Sequence, residues 1–384
     1  MPIKYLRRSF LPCDMIRMKK TVFFLSAFLM IFSAFAANPT ASELAAQSIN
    51  SYREALYSFD RMDYGSALKY SEDAILFRRQ QVEKEMQVLN DSLSAKRVRD
   101  AGDSIFAVLE VLEDRKERES IRIISSYIKK KGADYFDNSI TNLRSYMGSM
   151  IQYPEAHKLI GDIYRLEGEY TFAEDYYLLA LSNADVLDVP DDRFEILYSL
   201  AEISRLQNDF PKMEARLLNI IAQDSVYKDN ALKQAMLRTI RTNRPDSMEK
   251  FFTLYRADSP YSLEAYTKLA EYYYNEGVLD NALHFAALAV LCTFTRISAA
   301  IESRNSNYEY TQLSDFFQEF AYYDDIAEWA GRNFIWKNFN FLARLAKEDG
   351  CDVFSRSLLS VIVRWCPERY WQNEAVLLLE SMGL

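Results

Sequence analysis

Histidine and cysteine, the side chains most often used for acid–base, nucleophilic and metal chemistry near neutral pH, are scarce in this chain of 384 residues. The two histidines, His157 and His284, are far apart in sequence, and neither stands at the spacing of a metal site or a catalytic triad. The sequence has no phosphate-binding glycine loop, no G-x-S-x-G and no H-E-x-x-H. We therefore predict a protein that is not an enzyme, with no catalytic residue, metal site or cofactor. A hydrolase site in the charged N-terminal part is the alternative, and it requires a cleft that shifts the pKa of an acid or base.

Three cysteines follow the N-terminal apolar run, and their number and spacing indicate packing. An odd number cannot complete a disulfide framework. We predict that Cys351 and Cys366 flank one helix, whose residues, at ~1.5 Å each, hold the two thiols about 20 Å apart, beyond disulfide reach. Neither C-x-x-C nor a cluster of Cys with His accompanies these residues or Cys292, so a zinc site and a thioredoxin-like centre are not indicated.

The N-terminal segment has the pattern of an export signal. A pair of lysines precedes the apolar run Val22–Phe35, and Ala34 with Ala36 forms an A-x-A cleavage site. We predict cleavage after Ala36 or Ala37 and a location in the periplasm or outside the cell. The run is too short for a membrane span, and no later segment is predicted to cross a membrane.

Residues 1–17 precede this signal, so the position of the start codon is open. Met15 or Met18 would each give a more ordinary charged region before the apolar run than Met1 does. Arg7 and Arg8 resemble the twin-arginine export motif, but an apolar region should then follow more closely. The sequence thus leaves open which methionine is the start and whether export uses the general or the twin-arginine route.

Charge restricts the class of partner. Without residues 1–37 the chain carries 40 basic and 54 acidic side chains, a net charge of −14. Nucleic acid binds to positively charged surfaces, so it is not an expected partner of this acidic chain. Anionic lipid surfaces should also repel the protein.

The most regular pattern in the chain lies between Ala156 and Leu181. Apolar residues recur at i, i+3 and i+4 on both sides of Gly168, which predicts two amphipathic helices that fold back on each other. Gly161 and Ala173 remove bulk where the helices cross, and Gly168 allows the turn a backbone angle that other residues avoid. Tyrosines at positions 164, 170 and 177 fill the gaps between helices.

The same spacing recurs in Leu269–Ala289, and a third copy in Leu200–Ile220 keeps the apolar frame with Ser204 in place of an aromatic residue and Met213 in place of a small one. Weaker copies lie at 55–74, 229–255 and 342–362. These motifs resemble the tetratricopeptide (TPR) repeat. The resemblance implies an all-α fold, a right-handed α–α superhelix of degenerate repeats, with a capping helix at about 371–382.

Repeat spacing sets the predicted domain organisation. Small residues on the first helices, at 55, 161, 201, 270 and 343, are separated by 106, 40, 69 and 73 positions, near multiples of the ~34-residue TPR period apart from one insertion. We predict a signal at 1–37, a first helix pair at 38–78, long irregular helices at 79–153, a central TPR array at 154–298, and degenerate helices with the cap at 299–384.

The first helix of each TPR pair lines the concave side, which the resemblance marks as the binding face. The predicted partner contacts on this face are Lys158, Asp162, Arg165, Tyr198, Glu202, Arg205, Glu271 and Tyr274. Asp162, Glu202 and Glu271 form an acidic stripe that favours a basic partner. The alternative is that the stripe consists of ion pairs on a solvated helix face, Asp162 with Arg165 and Glu202 with Arg205. Lys, Asn and Arg positions of the kind that grip a C-terminal carboxylate in this family are not found here.

These patterns predict an exported TPR scaffold or adaptor that binds a protein or peptide in the cell envelope. The second hypothesis is a periplasmic receptor for a small ligand that works beside a transporter. Twenty-six tyrosines and 24 phenylalanines would suit a small apolar ligand.

Overall fold

A computed structural model describes residues 39–222, 224–259, 261–305, 308 and 312–383. The fold is all-α: within these residues no β-strand forms, and one isolated bridge joins Ser104 and Ser139. The predicted signal, with its cleavage site, lies outside the described residues. Contacts divide the chain into two compact units, one up to Ile163 and one from Tyr164 onward.

The first unit is built from helices that pack as hairpins. Their bounds are α1 Ala41–Asp60, α2 Tyr64–Leu93, α3 Lys96–Asp100, α4 Ile105–Asp114, α5 Arg118–Lys131, α6 Ile140–Ser149 and α7 Pro154–Glu167, with a 3₁₀ turn at Asp134–Phe136. Thr40 and Glu43 cap α1 reciprocally, which satisfies donors that the first turn leaves free. Helix α2 packs along α1 and then against α5 and α6.

The second unit takes up the end of α7 and continues with thirteen further helices among its described residues. They are α8 Tyr170–Ser182, α9 Asp192–Leu206, α10 Phe210–Ile221, α11 Ser225–Lys228, α12 Asn230–Arg241, α13 Ser247–Leu254, α14 Leu263–Asn275, α15 Leu279–Arg304, α16 Leu313–Tyr322, α17 Asp324–Arg332, α18 Ile335–Glu348, α19 Asp352–Trp365 and α20 Arg369–Glu380. Helices α9 and α10, α14 and α15, and α18 and α19 pack as pairs.

One turn geometry recurs between paired helices. The residue two places before the second helix has a positive φ, and the next residue donates its N–H to the carbonyl five positions earlier, as in a Schellman motif. Gly168 takes this place before α8 with φ +84°, as predicted. The corresponding residues of the other pairs are Met62, Lys116, Asn208, Gly277 and Gly350. The repetition is therefore one of backbone geometry as well as of side-chain pattern.

The core of the first unit uses small and polar residues. Ala55, Ala67 and Ala74 are fully buried between α1 and α2, so the two backbones approach closely. Ser48 Oγ donates to the Ala74 carbonyl at 2.8 Å, and Tyr127 Oη donates to Glu85 Oε2 at 2.9 Å. These hydrogen bonds offset the desolvation of the buried polar groups that form them.

The core of the second unit is aromatic, and α15 runs through it. Phe294 on α15 lies 4.8 Å from Phe252 and 4.4 Å from Phe316, centroid to centroid. Helix α15 contacts α12, α14, α16, α17 and α18. Its 18-residue window with mean hydropathy 1.6 makes it long and apolar enough to cross a membrane, which the sequence analysis did not expect. Because 78% of that window is buried inside the protein, its apolar side chains serve this core.

The third repeat copy replaces an aromatic residue with Ser204, and the structure shows what fills the space. Arg216 Nη1 donates to Ser204 Oγ at 2.7 Å and to the Leu200 carbonyl at 2.5 Å, and Nη2 pairs with Glu174. Met213, in place of a small residue, is buried at the same interface. A guanidinium thus replaces a ring between α8, α9 and α10.

Two predictions about the C-terminal part are confirmed. Cys351 and Cys366 flank α19 as its N-cap and C-cap, and both are buried and form no disulfide. The last helix, predicted at about 371–382, is α20, and it packs against α18 and α19.

Candidate functional site

A groove opens in the second unit where the first helices of three pairs lie side by side. Tyr198 Oη on α9 donates to the Tyr261 carbonyl at 2.5 Å and accepts from the Ala265 N–H on α14 at 3.0 Å. Thr267 on α14 and Asn338 on α18 exchange hydrogen bonds at 3.3 and 3.5 Å. These contacts fix the spacing of α9, α14 and α18 and leave their outward side chains to form the groove.

The groove consists of two adjoining cavities that share Lys268 and Glu271. The larger, about 640 Å³, is lined by Asp191, Asp192, Phe194, Glu195, Tyr198, Tyr261, Leu263, Glu264, Thr267, Lys268, Glu271, Arg296, Arg332, Asn333, Phe334 and Lys337. The smaller, about 480 Å³, is lined by Ala201, Glu202, Arg205, Phe210, Met213, Lys268, Glu271, Tyr272, Asn275 and Glu276.

Aromatic rings line both sides of the larger cavity. Phe194 and Tyr261 stack with centroids 4.2 Å apart and planes 5° from parallel, and Tyr261 Oη donates to Asp191. Phe334, immediately before α18, is 61% exposed. Its φ of +57° places a bulky residue in the left-handed region, at a cost of about 1–2 kcal/mol. In this conformation the exposed ring of Phe334 lines the cavity.

Glu202 and Glu271, two acidic side chains of the groove, are paired with cations. Arg205 donates to both oxygens of Glu202 at 2.9 and 2.6 Å, and Lys268 lies 3.6 Å from the same carboxylate. The Arg205 hydrogen bonds and, more weakly, Lys268 lower the pKa of Glu202 against the opposing effect of burial. Lys337 pairs with Glu271 at 2.5 Å. The groove is therefore a surface of alternating charge.

Four of the eight residues predicted as partner contacts line the groove: Tyr198, Glu202, Arg205 and Glu271. The Tyr198 hydroxyl is already engaged by α14, and burial raises its pKa. Only its ring is available to a ligand. The pairing of Glu202 with Arg205 is the one that the sequence analysis offered as the alternative to an acidic stripe.

The other four predicted contacts lie elsewhere. Lys158 and Asp162 belong to the first unit and form an i,i+4 ion pair at 3.3 Å. Arg165 Nε donates to Tyr177 Oη at 3.3 Å. Tyr274, expected to face the groove, donates to Glu348 at 2.9 Å and packs edge-on against Phe341, because α18 covers it. Its neighbour Tyr272 lines the groove in its place.

Sequence reasoning missed the rings and several cations of the groove. Lys268 stands four residues after Glu264 and pairs with it at 3.1 Å, a spacing that was readable on one helix face. Phe194, Tyr261 and Phe334 line one cavity only through the packing of three helices, which no local pattern reveals.

The side chains suited to chemistry are buried or scattered. Among the described residues no three His, Cys, Asp or Glu side chains form a metal-binding group. Burial lowers the pKa of His157 to about 4 and that of His284 to about 3. Burial also raises the pKa of Cys351 and of Cys366 to about 11, so both are thiols rather than thiolates at neutral pH. The arrangement in the groove is suited to recognition.

Comparison with known proteins gives one relative and no family. No protein-family profile matches the sequence. The chain is similar to a protein of Treponema pallidum (strain Nichols) described only as uncharacterized, with 28% identity over 313 residues. That similarity covers 80% of this chain and 83% of the relative.

Proposed function

We propose that this protein is an exported TPR-like scaffold whose groove binds a segment of a partner polypeptide. The recurring Schellman turns support the repeat assignment, and those at Asn208 and Gly277 stand 69 positions apart, about twice the ~34-residue TPR period. Stacked helix pairs of this kind form right-handed superhelices whose first helices line a concave face.

The observation that carries the binding proposal is the groove itself. It is lined by the first helices of three pairs, is open to solvent, and combines exposed rings with paired charges. Exposed aromatic side chains supply contact area at low entropic cost, and polar groups around them fix the register of a ligand. Binding of this kind requires no chemistry, catalytic group or cofactor.

The export proposal rests on the N-terminal apolar run and its A-x-A site. The net charge of −14 expected after cleavage fits a protein that stays in solution in the periplasm or outside the cell, away from anionic lipid and nucleic acid. Mass determination of the protein from its native envelope should find an N-terminus at Ala37 or Asn38.

Partner capture with matched variants tests the binding proposal. We expect wild-type protein immobilised in native envelope extract to retain a partner that mass spectrometry identifies and that binds directly in calorimetry. Phe334→Ala should weaken that binding about tenfold, because it removes an exposed ring from the groove. Tyr370→Ala is the control: its ring is 64% exposed, contacts Trp371 and lies outside the groove. Equal binding by both variants would remove the groove from the proposal.

A second candidate function follows from the size of the larger cavity. Its volume of about 640 Å³ is within the range of small-molecule sites, as expected of a periplasmic receptor working beside a transporter. The many charged side chains of its lining favour a polar ligand over an apolar one. Native mass spectrometry of the purified protein separates the two functions, because only the receptor should retain a small molecule.

A further inference from the structure

A third cavity, beside the two that form the groove, is lined mainly by basic side chains, whereas the protein as a whole is acidic. It measures about 470 Å³ and lies between the C-terminal half of α15 and α17. Three arginines and one aspartate line it, although the chain carries a formal net charge of −9. Local potential, rather than net charge, decides which ligand groups such a cavity attracts.

Helix geometry brings the three guanidinium groups together. Arg296 and Arg304 stand eight residues apart on one face of α15, with Ala300 between them leaving room. Arg332 is the last residue of α17, where the helix dipole favours a cation. We call Arg296, Arg304, Arg332 and Trp329 the arginine cavity.

Two of the three arginines have carboxylate partners. Arg304 forms two hydrogen bonds with Asp325, at 2.8 and 2.5 Å. Arg332 pairs with Glu328 at 3.3 Å, but both side chains are about 70% exposed, and such pairs contribute little. Part of the positive charge of the cavity is therefore weakly compensated.

Arg296 differs from the other two. It is half-buried, its guanidinium lies 5.4 Å from the centroid of the Trp329 ring, and no carboxylate of the described residues comes within 4 Å of it. A half-buried cation with a ring on one side and a cavity on the other is disposed to accept an anion. Arg296 and Arg332 also line the larger cavity of the groove, so a ligand that fills that cavity lies beside both arginines.

We propose that the arginine cavity binds acidic side chains of the partner polypeptide that occupies the groove. Arginine matches a carboxylate with two parallel hydrogen bonds, and Trp329 with Ile326 gives the methylene groups of a glutamate an apolar contact. This inference rests on the proposed function, because it names the chemistry of the same partner. It replaces the basic partner expected from the acidic stripe, whose carboxylates Glu202 and Glu271 are already paired.

Trp329 provides a direct test with defined peptides. The probe is acetyl-(Ala-Glu)₄-amide, and its neutral match is acetyl-(Ala-Gln)₄-amide, each titrated into the purified chain while tryptophan fluorescence is recorded. We expect a saturable change with the glutamate peptide alone and none in Trp329→Phe, because Trp329 contacts Arg296. Arg296→Gln should weaken binding about tenfold and Arg296→Lys less. Arg364→Gln, whose guanidinium lies 5.0 Å from the centroid of the Trp365 ring outside the cavity, is the matched control and should bind as wild type.

The other results separate failure of this inference from failure of the proposed function. Equal responses to the two peptides would show that the carboxylates are not recognised, and unchanged binding by Arg296→Gln would place the acidic contact elsewhere. Inorganic phosphate that competes at the same concentration as the peptide would mark a site for any anion. If Phe334→Ala releases the natural partner while Arg296→Gln changes neither capture nor titration, the proposed function stands and this inference falls. If the glutamate peptide binds at Trp329 but no variant alters partner capture, the groove proposal falls instead.

Discussion

The two longest helices among the described residues, α2 in the first unit and α15 in the second, bury different kinds of side chain. The buried residues of α2 are Ala67, Ser71, Ala74, Val82, Glu85, Leu89 and Ser92, which are mostly small or polar. Those of α15 number sixteen, and half of them are large and apolar. Helix α2 accepts hydrogen bonds from α1 and α5, whereas α15 packs apolar side chains against five helices.

This difference predicts opposite sensitivities. A closely packed hairpin of small residues tolerates loss of volume but not gain, because added atoms force the backbones apart. An aromatic core is sensitive to loss, because removal of a ring leaves a cavity that the surroundings cannot close. The following substitutions test this contrast.

Loss of a core ring should have the largest effect. Phe294→Ala removes a fully buried side chain that contacts Phe252 and Phe316, and we expect a loss of about 4 kcal/mol in the free energy of unfolding. Urea denaturation followed by tryptophan fluorescence measures this unit, since all four tryptophans lie at 329 or beyond. Phe172→Ala, at a ring that is 55% exposed, is the control and should lose less than about 1 kcal/mol. Similar losses from both would mean that the aromatic core does not determine stability.

Acid should weaken the second unit through His284. Burial lowers the pKa of this residue to about 3, with Lys233 adding to the effect, and neither ring nitrogen has a hydrogen-bond partner in the described part of the chain. The pKa of His284 is lower in the folded than in the unfolded protein, so folding favours the neutral imidazole. Stability is complete above about pH 6.5 and is lost as pH falls toward 3, by about 2 kcal/mol at pH 5. His284→Leu should flatten the dependence of unfolding free energy on pH between 7 and 5, and parallel curves would contradict this.

Added volume in the first unit should have an effect of about 2 kcal/mol. Ala74 is fully buried, and its carbonyl accepts a hydrogen bond from Ser48, so Ala74→Leu forces α1 and α2 apart. Hydrogen exchange of α1 and α2 peptides should show faster opening. Ala46→Leu, at an exposed position of α1, is the matched control and should leave exchange unchanged. Tolerance of Ala74→Leu would show that the hairpin is looser than its small residues imply.

The recurring turns give the smallest effects, with opposite signs in the two units. A Cβ added at Gly168 meets no atom within 4 Å, so Gly168→Ala should destabilise by about 1 kcal/mol through backbone strain alone. Met62 has φ +61° and is 76% exposed, so Met62→Gly should stabilise by a similar amount. Thermal unfolding of the two variants measures both. Shifts of the same sign would show that backbone strain does not determine the stability of both turns.

The helix pairs were predictable because their determinants are local. Gly168 and Gly277 mark turns, small residues mark crossings, and apolar spacing marks the faces that pack. Helix lengths were not predictable in the same way. Positions 78 and 298, predicted as domain boundaries, lie within α2 and α15, because a helix continues while any neighbour covers its next turn.

The groove was only partly predictable. Glu202, Arg205 and Glu271 were found because the repeat pattern places them on the outward face of the first helix of a pair. The stack of Phe194 on Tyr261 and the arginine cavity join residues from different helices, and their alignment depends on crossing angles that periodicity does not set. Tyr274 was misplaced for the same reason, since the sequence does not show that α18 covers it.

The contacts of α15 have a consequence for how the second unit unfolds. Repeat proteins often lose structure one repeat at a time, because each repeat touches only its neighbours. Helix α15 instead contacts α12, α14, α16, α17 and α18, so none of these can leave without exposing part of its surface. Unfolding of this part of the chain should therefore be a single cooperative event, with amides from α12 to α18 sharing one opening free energy rather than a gradient.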